Sequence, residues 1–189
     1  MFVSIPGWCR DITSRKALEI EAFSIALQQY NKGEFIQASE GFRKLEHDFP
    51  LLGDFAAKLE IEALISENNL EQALKGIEQF HQKYPSSLLA AHVLELEGDL
   101  KASQNSWLNA RTCWEFALKA MPKEKDTQAS ITLKIGRASE RLGELGVAYS
   151  NYLRVWSLYP TSSQAKEVEA ALRRVERALP TLRRTGKDW

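Results

Sequence analysis

The chain has 189 residues, of which 44% are hydrophobic and 26% charged, a composition typical of folded proteins rather than disordered ones. Its 25 basic and 25 acidic residues cancel, which disfavours nucleic acid as a partner. No run of 18 apolar residues occurs, so we expect no transmembrane segment. Two cysteines and three histidines are too few for a disulfide scaffold or a clustered zinc site. We therefore expect neither a metal nor a cofactor.

The balanced total hides a charge gradient along the chain. Residues 1–100 contain 9 Lys and Arg against 16 Asp and Glu, whereas residues 101–189 contain 16 against 9. Such a chain could associate head to tail, or present acidic and basic surfaces to different partners. Ordinary helix-surface chemistry explains the same asymmetry.

The first elements in chain order are a short lead-in and a helical region. Residues 1–12 lack the basic start and the apolar stretch of a signal peptide, and we predict an N-terminal lead-in. From residue 13 to residue 179, apolar side chains recur at helical spacing, as at Ile20, Phe23 and Leu27. No window alternates with the period of a β-strand over a credible length. The predicted fold class is all-α.

Within this region, four segments share the same columns of residues. Each segment ends with a proline: Pro50, Pro85, Pro122 and Pro160. Twelve residues before each proline is an alanine: Ala38, Ala73, Ala110 and Ala148. Five residues before each alanine is a residue that tolerates positive φ: Gly33, Asn68, Asn105 and Gly143. Four residues after each alanine is a large apolar residue: Phe42, Ile77, Trp114 and Tyr152.

Each column has a physical role in a pair of antiparallel helices. The Gly or Asn ends one helix, and the residue that follows it opens the next. The alanine lets the two helices approach closely, and the large residue one turn later fills the remaining space. The sequence thus predicts four helix pairs, here called repeats 1 to 4, then a capping helix at 163–179 and a loose tail at 180–189. The repeats lie near 19–50, 54–85, 91–122 and 129–160.

These columns resemble the tetratricopeptide repeat, which has a small residue at position 8, glycine at 15, alanine at 20 and proline at 32. Position 8 is Ala26, Ile61, Gly98 and Gly136, so repeat 2 departs from the pattern. The resemblance covers residues 19–160 and implies a right-handed α-solenoid of about four such helix pairs, closed by the C-terminal capping helix. It also implies a non-catalytic scaffold whose concave groove binds a protein or peptide.

The resemblance further implies which side chains line that groove. They are Phe23, Leu27, Phe55, Lys58, Glu62, His92, Glu95, Asp99, Leu133, Arg137, Glu140 and Arg141. The clamp by which some of these proteins bind chaperone tails needs lysine and asparagine at two of the positions. Lys58 fits that clamp but Glu62 does not, which disfavours such a partner.

A narrower resemblance involves two linkers between repeats. Tyr84-Pro85-Ser86-Ser87 and Tyr159-Pro160-Thr161-Ser162 are similar to linkers of bacterial cell-envelope repeat proteins, including outer-membrane-assembly lipoproteins and soluble lytic murein transglycosylases. This implies a periplasmic or envelope location, a role in envelope assembly or peptidoglycan metabolism, and peptidoglycan as a further partner; the alternative location is the cytoplasm. The catalytic segments of the transglycosylases are absent. The alternative function is therefore the accessory helical domain of such an enzyme.

We find no pattern of catalytic residues in the chain. The carboxylates of Glu60 and Glu62 are two residues apart and point away from each other on a helix, so they cannot face one bond. No phosphate-binding loop or nucleophile motif occurs. We predict no catalytic residue and no enzyme activity.

The predicted groove residues differ in charge along the chain. Repeats 2 and 3 contribute Glu62, Glu95 and Asp99, whereas repeat 4 contributes Arg137 and Arg141. A ligand along the groove would then be bipolar, with a carboxylate at the two arginines. The alternative is that these arginines pair with Glu140 and Glu144 on the helix surface.

Overall fold

The structure is a computed structural model that describes residues 7–121 and 125–179. Within these ranges the chain is helical and contains no β-strand, which confirms the predicted all-α class. The α-helices are α1 (Gly7–Asn31), α2 (Phe35–Asp48), α3 (Gly53–Ser66), α4 (Leu70–Lys83), α5 (Ala90–Ser103), α6 (Trp107–Ala120), α7 (Lys125–Arg141), α8 (Leu145–Leu158) and α9 (Ala165–Ala178). A short 3-10 helix, Pro50–Leu52, precedes α3. The predicted tail at 180–189 lies outside the described residues.

The chain divides between Leu89 and Ala90 into two compact units. In the N-terminal unit, α1 packs on α2, α2 on α3, and α3 on α4. In the C-terminal unit, helices α5 to α9 pack in the same consecutive manner. Within each unit, helices therefore pack against their neighbours in sequence, as expected for a repeat protein.

The helix ends follow from the Gly and Asn column. Gly33, Asn68, Asn105 and Gly143 all have positive φ, between 59° and 80°. At each site the next residue donates its backbone N–H to a carbonyl five residues earlier, as in Glu34 to Gln29 at 2.9 Å. This is the hydrogen bond that closes a helix through a left-handed residue. The predicted helix breaks are confirmed at all four positions.

The first helix is longer than we predicted. It begins at Gly7, so residues 7–12 of the predicted lead-in are part of α1. The physical reason is that no proline or glycine interrupts the chain between Trp8 and Asn31, and a helix continues until a residue stops it. The predicted capping helix at 163–179 is present as α9, Ala165–Ala178.

The alanine column lies where the paired helices cross. Ala38, Ala73, Ala110 and Ala148 are all 0% exposed, as the sequence predicted. Their neighbours form the cores. Phe42 and Leu45 are central in the N-terminal unit, and Tyr152 and Val155 in the C-terminal unit.

A glycine on one helix of each pair gives the close approach that the other helix needs. In repeats 3 and 4 it is on the first helix, where a Cβ at Gly98 or Gly136 would lie 2.4–2.5 Å from an aromatic ring. In repeat 2 the first helix carries Ile61 instead, and the glycine is Gly76 on the second helix. A Cβ added there would lie 3.1 Å from Ile61 Cγ1. The departure of repeat 2 from the pattern is therefore compensated across the helix pair.

The two Tyr-Pro linkers are held by their own side chains. The Tyr84 hydroxyl donates to Glu46 Oε1 at 2.9 Å, and Ser87 Oγ donates to Asp54 Oδ2 at 2.6 Å. The Tyr159 hydroxyl donates to Gln128 Oε1 at 2.9 Å, and Ser162 Oγ donates to the Tyr159 carbonyl at 2.8 Å. The Tyr and Ser of each linker thus bind the linker to residues of its own unit.

Candidate functional site

The C-terminal unit contains an open cleft of about 820 Å³, here called the C-terminal cleft. Helix α7 forms one wall because residues spaced three, four and seven apart share one helix face. Tryptophans from α6 supply apolar surface. The lining residues are Asp99, Ala102, Trp107, Trp114, Lys134, Arg137, Glu140, Arg141 and Arg174. Four of these side chains are cationic and two are anionic, so the lining is net basic.

Lys134 is held by two carboxylates of α5. Its Nζ lies 2.7 Å from Glu95 Oε1 and 2.8 Å from Asp99 Oδ2. The Trp114 indole N–H also donates to Asp99, at 3.1 Å. Burial opposes the charge of Lys134, but the hydrogen bonds to Asp99 and Glu95 outweigh it and raise the pKa of the ammonium. The carboxylates of Glu95 and Asp99, which were predicted as groove residues, are thus already paired with Lys134 of the same chain.

A second network joins α7, α8 and α9 at Glu140. Arg174 donates to both oxygens of Glu140, at 2.6 and 2.7 Å, and the Tyr152 hydroxyl donates to Oε2 at 2.8 Å. The hydrogen bonds from Arg174 chiefly, with smaller contributions from Tyr152 and nearby Arg141, lower the pKa of the Glu140 carboxyl. Burial chiefly raises the pKa of the Tyr152 phenol, so this hydroxyl stays protonated and donates.

The Glu140 network predicts a pH-dependent stability effect. Since the pKa of Glu140 is lowered from 4.5 in the folded state, its stabilising effect is present above pH 4.5 and is lost as the pH falls through the folded pKa. Glu140→Gln should lower the free energy of unfolding at pH 7 by about 1 kcal/mol, a figure reduced for solvent screening. Urea unfolding of both proteins at pH 7 and near pH 3 measures this, and the difference should shrink at the acidic pH.

Glu60 provides the control of opposite sign for that experiment. Burial raises the pKa of the Glu60 carboxyl, despite its hydrogen bond with Arg43 at 2.8 Å. Its contribution is therefore present below pH 4.5 and is lost as the pH rises through the folded pKa. Glu60→Gln should gain stability relative to the natural protein as the pH rises. A pH-independent difference for Glu140→Gln would contradict the role of the network.

The two predicted arginines have different environments. Arg137 forms an ion pair with Glu167 of α9, and both side chains are half exposed, at 50% and 51%. The Arg141 guanidinium lies over the Trp107 ring, 5.4 Å from its centroid, and forms no ion pair with a carboxylate among the described residues. The surface pairs that were the alternative from the sequence do not form.

The partners of Glu140 and Glu144 lie on other helices. Glu140 binds Arg174 of α9, and Glu144 pairs with Arg111 of α6. Because neighbouring helices pack together, Arg174 and Arg111 pair with these two carboxylates, whereas Arg137 and Arg141 do not.

The predicted groove residues of the N-terminal unit form an apolar patch and an ion pair. Phe23 stacks on Phe55 with ring centroids 5.7 Å apart, and Phe55 and Leu27 are partly exposed. Lys58 pairs with Glu62 at 2.8 Å, so their charges are satisfied within α3. The structure thus brings Phe23 together with Phe55, and Lys58 together with Glu62, and these two pairs form no basic site.

Two predicted residues are placed differently from the expectation. Leu133 is only 4% exposed and belongs to the core around Tyr152, so the groove assignment of Leu133 is wrong. The reason is that α7 packs on both α6 and α8 and buries more than one face. His92 is partly exposed on α5 and does not line the C-terminal cleft.

The sequence analysis missed five lining residues, namely Ala102, Trp107, Trp114, Lys134 and Arg174. Trp114 was interpreted only as part of a packing column. Lys134 precedes Arg137 by three residues, and that spacing could have placed it on the same face. Nothing local indicates Arg174, because it comes from another helix.

The free cysteine of the described residues, Cys113, does not line the cleft. Burial raises the pKa of the Cys113 thiol to about 11, which keeps it in its poorly nucleophilic form. Throughout 7–121 and 125–179, no group of three or more His, Cys, Asp or Glu is placed to hold a metal. In the same part of the chain, no helix has the length and hydropathy needed to cross a bilayer.

Comparison with known proteins finds a solved structure that is similar to this chain in fold. No protein-family model and no curated protein matches the chain. Among solved structures, it is similar to the crystal structure of a tetratricopeptide repeat protein from Parabacteroides merdae. The TM-score is 0.68 at 15% identity, over 90% of this chain and 68% of that one. At this identity the similarity shows the fold, which is that of tetratricopeptide helix pairs, as the sequence predicted.

Proposed function

We propose that this chain is a non-catalytic interaction module that binds a peptide segment of a partner protein in the C-terminal cleft. The observation that carries the proposal is the lining itself, which combines the partly exposed Trp107 ring, beside the nearly buried Trp114, with a net basic wall. Tryptophan and arginine are the side chains that most often dominate binding energy at protein interfaces. A volume of about 820 Å³ accommodates a few side chains of an extended peptide.

The fold supports the same proposal. Stacked helix pairs present surface side chains from several helices on one face, which suits an extended ligand. Because one fold can host many functions, the proposal depends on the cleft rather than on the similarity.

The test uses the tryptophans of the chain as reporters of the binding site. Peptides are selected from a random display library on the immobilised protein and titrated into protein labelled with ¹⁵N at its indole nitrogens. We expect the indole resonances of Trp107 and Trp114, which line the cleft, to shift on binding. Trp156 of α8 is exposed and does not line the cleft, so its resonance should not move.

Trp→Phe variants assign the resonances and show that each signal belongs to the residue named. The proposal fails if no peptide is selected reproducibly, or if selected peptides shift Trp156 and leave Trp107 and Trp114 unchanged. Either result would place the interaction surface elsewhere in the chain.

The proposal includes a location in the bacterial cell envelope, and the alternative location is the cytoplasm. Its support is the resemblance of the two Tyr-Pro linkers, and the turn hydrogen bonds of those linkers would be equally useful in any compartment. A role beside peptidoglycan, or as the accessory domain of a lytic transglycosylase-like enzyme, rests on the same resemblance. Fractionation of the native cells with an antibody to the chain tests the location directly.

A further inference from the structure

We infer that the C-terminal cleft recognises an acidic side chain next to an apolar one, and that Glu167 of α9 competes with that acidic group for Arg137. The inference rests on the proposed function, because it specifies the peptide that the cleft would bind. It follows from how each cation of the cleft is already paired.

Two of the four cations in the lining are committed to the fold. Lys134 contacts both Glu95 and Asp99, and its side chain is 23% exposed. Arg174 binds both oxygens of Glu140, which is in turn hydrogen-bonded by Tyr152. A ligand that took over either cation would leave the Glu95 or the Glu140 carboxylate, which are 20% and 23% exposed, without its partner, and this is costly. A ligand would leave these two pairs intact.

Arg141 is the cation available to a ligand. Its guanidinium lies over the Trp107 ring and is paired with no carboxylate of the described chain. Its N–H groups make no hydrogen bond among the described residues, so these donors are open to an acceptor. An acidic side chain of a ligand can therefore bind Arg141 without displacing any group.

Arg137 comes from the same face of α7, one turn before Arg141, and its present partner is replaceable. Glu167 reaches it from α9, and both side chains of this pair are half exposed. Ion pairs at that exposure contribute little to stability, so an incoming carboxylate can exchange with Glu167 at small cost. Glu167 thus occupies the position at Arg137 that the ligand's carboxylate would take. This competition lowers the apparent affinity of the cleft for the ligand.

The apolar half of the ligand follows from the tryptophans. Trp107 and Ala102 line the cleft beside Arg141, and both are only partly buried. An aromatic or aliphatic side chain adjacent to the acidic one would cover this surface and exclude water from the ion pair. The fitting partner is a peptide segment in which acidic residues lie next to large apolar ones.

The test uses two fluorescein-labelled probes, the peptide Gly-Ser-Phe-Asp-Glu-Phe-Ser-Gly and its neutral counterpart with Asn and Gln in place of Asp and Glu. Fluorescence anisotropy measures the affinity of each probe for the natural protein and its variants. We expect the acidic probe to bind at least about tenfold more tightly than the neutral one, and Arg141→Gln to remove most of that difference.

The decisive variant is Glu167→Gln, which frees Arg137 while leaving the cleft in place. It should increase affinity for the acidic probe by roughly threefold or more, and this gain should disappear when Arg137→Gln is added. Glu169→Gln is the matched control, because Glu169 pairs with Arg173 on the same helix and neither lines the cleft. It changes the net charge equally and should not reproduce the gain.

The possible failures are distinguishable. If both probes bind equally and shift the Trp107 and Trp114 resonances, the proposed peptide site stands and the acidic preference is wrong. If Glu167→Gln and Glu169→Gln have the same effect, Glu167 is no competitor and only net charge matters. If the acidic probe shows no saturable binding up to about 1 mM, the inference is overturned, and the library selection decides the proposed function separately.

Discussion

Replacing Phe42 with alanine is expected to lower the free energy of unfolding by about 3–5 kcal/mol, the largest effect we predict for any single change. Phe42 is 0% exposed at the centre of the N-terminal core. Its ring contacts Phe23 and Tyr30 of α1, with centroids 6.1 and 6.5 Å away. The truncation removes buried apolar surface and leaves a cavity that neighbours on rigid helices can fill only in part.

The matched control is Phe116→Ala in α6, since Phe116 has the same chemistry and is 55% exposed. This variant should lose less than about 1 kcal/mol. Urea unfolding followed by circular dichroism measures both variants. Equal losses for the two phenylalanines would mean that the repeat register placing Phe42 in the core is wrong.

The second prediction concerns the contact between Gly136 of α7 and Tyr152 of α8. A Cβ at Gly136 would lie 2.5 Å from Tyr152 Cε1, closer than real atoms approach. Tyr152 cannot easily move, because it is fully buried and its hydroxyl is hydrogen-bonded to Glu140. Gly136→Ala should therefore destabilise the chain by roughly 1–3 kcal/mol, although alanine is intrinsically the better helix former.

Gly146 of α8 isolates the helix-propensity part of that effect. A Cβ at Gly146 meets no atom within 4 Å, so alanine there gains propensity at no steric cost. We expect Gly146→Ala to stabilise the chain by up to about 1 kcal/mol, opposite in sign to Gly136→Ala. Stabilisation by both substitutions in thermal unfolding would refute the close packing of α7 on α8.

The helix boundaries could be predicted because they depend on local conformation. A Gly or Asn with positive φ ends each first helix, and the hydrogen bonds that close it involve residues within one or two turns. The alanine column was equally predictable, since one small residue per helix pair reports the crossing point. The start of α1 at Gly7 was not predicted, because no local signal in the sequence marks it.

Which glycine meets which side chain was decided by packing between helices. Ile61 looks like a defect when position 8 is read alone, and only contact with Gly76 on the opposing helix shows that the pair remains complementary. The same limit applies to Leu133, whose helix position suggests a groove and whose neighbours on two sides bury it.

The sequence by itself thus determined the all-α class, the repeat, the helix breaks and the small residues at each crossing, since these depend on backbone conformation and spacing along one chain segment. It also identified Arg137 and Arg141, but not their partners. The tertiary structure alone decided that Lys134 and Arg174 are neutralised by Glu95, Asp99 and Glu140 while Arg141 lies over the Trp107 ring. The physical reason is that an ion pair depends on distances of a few ångströms between side chains of different helices, and helix packing sets those distances.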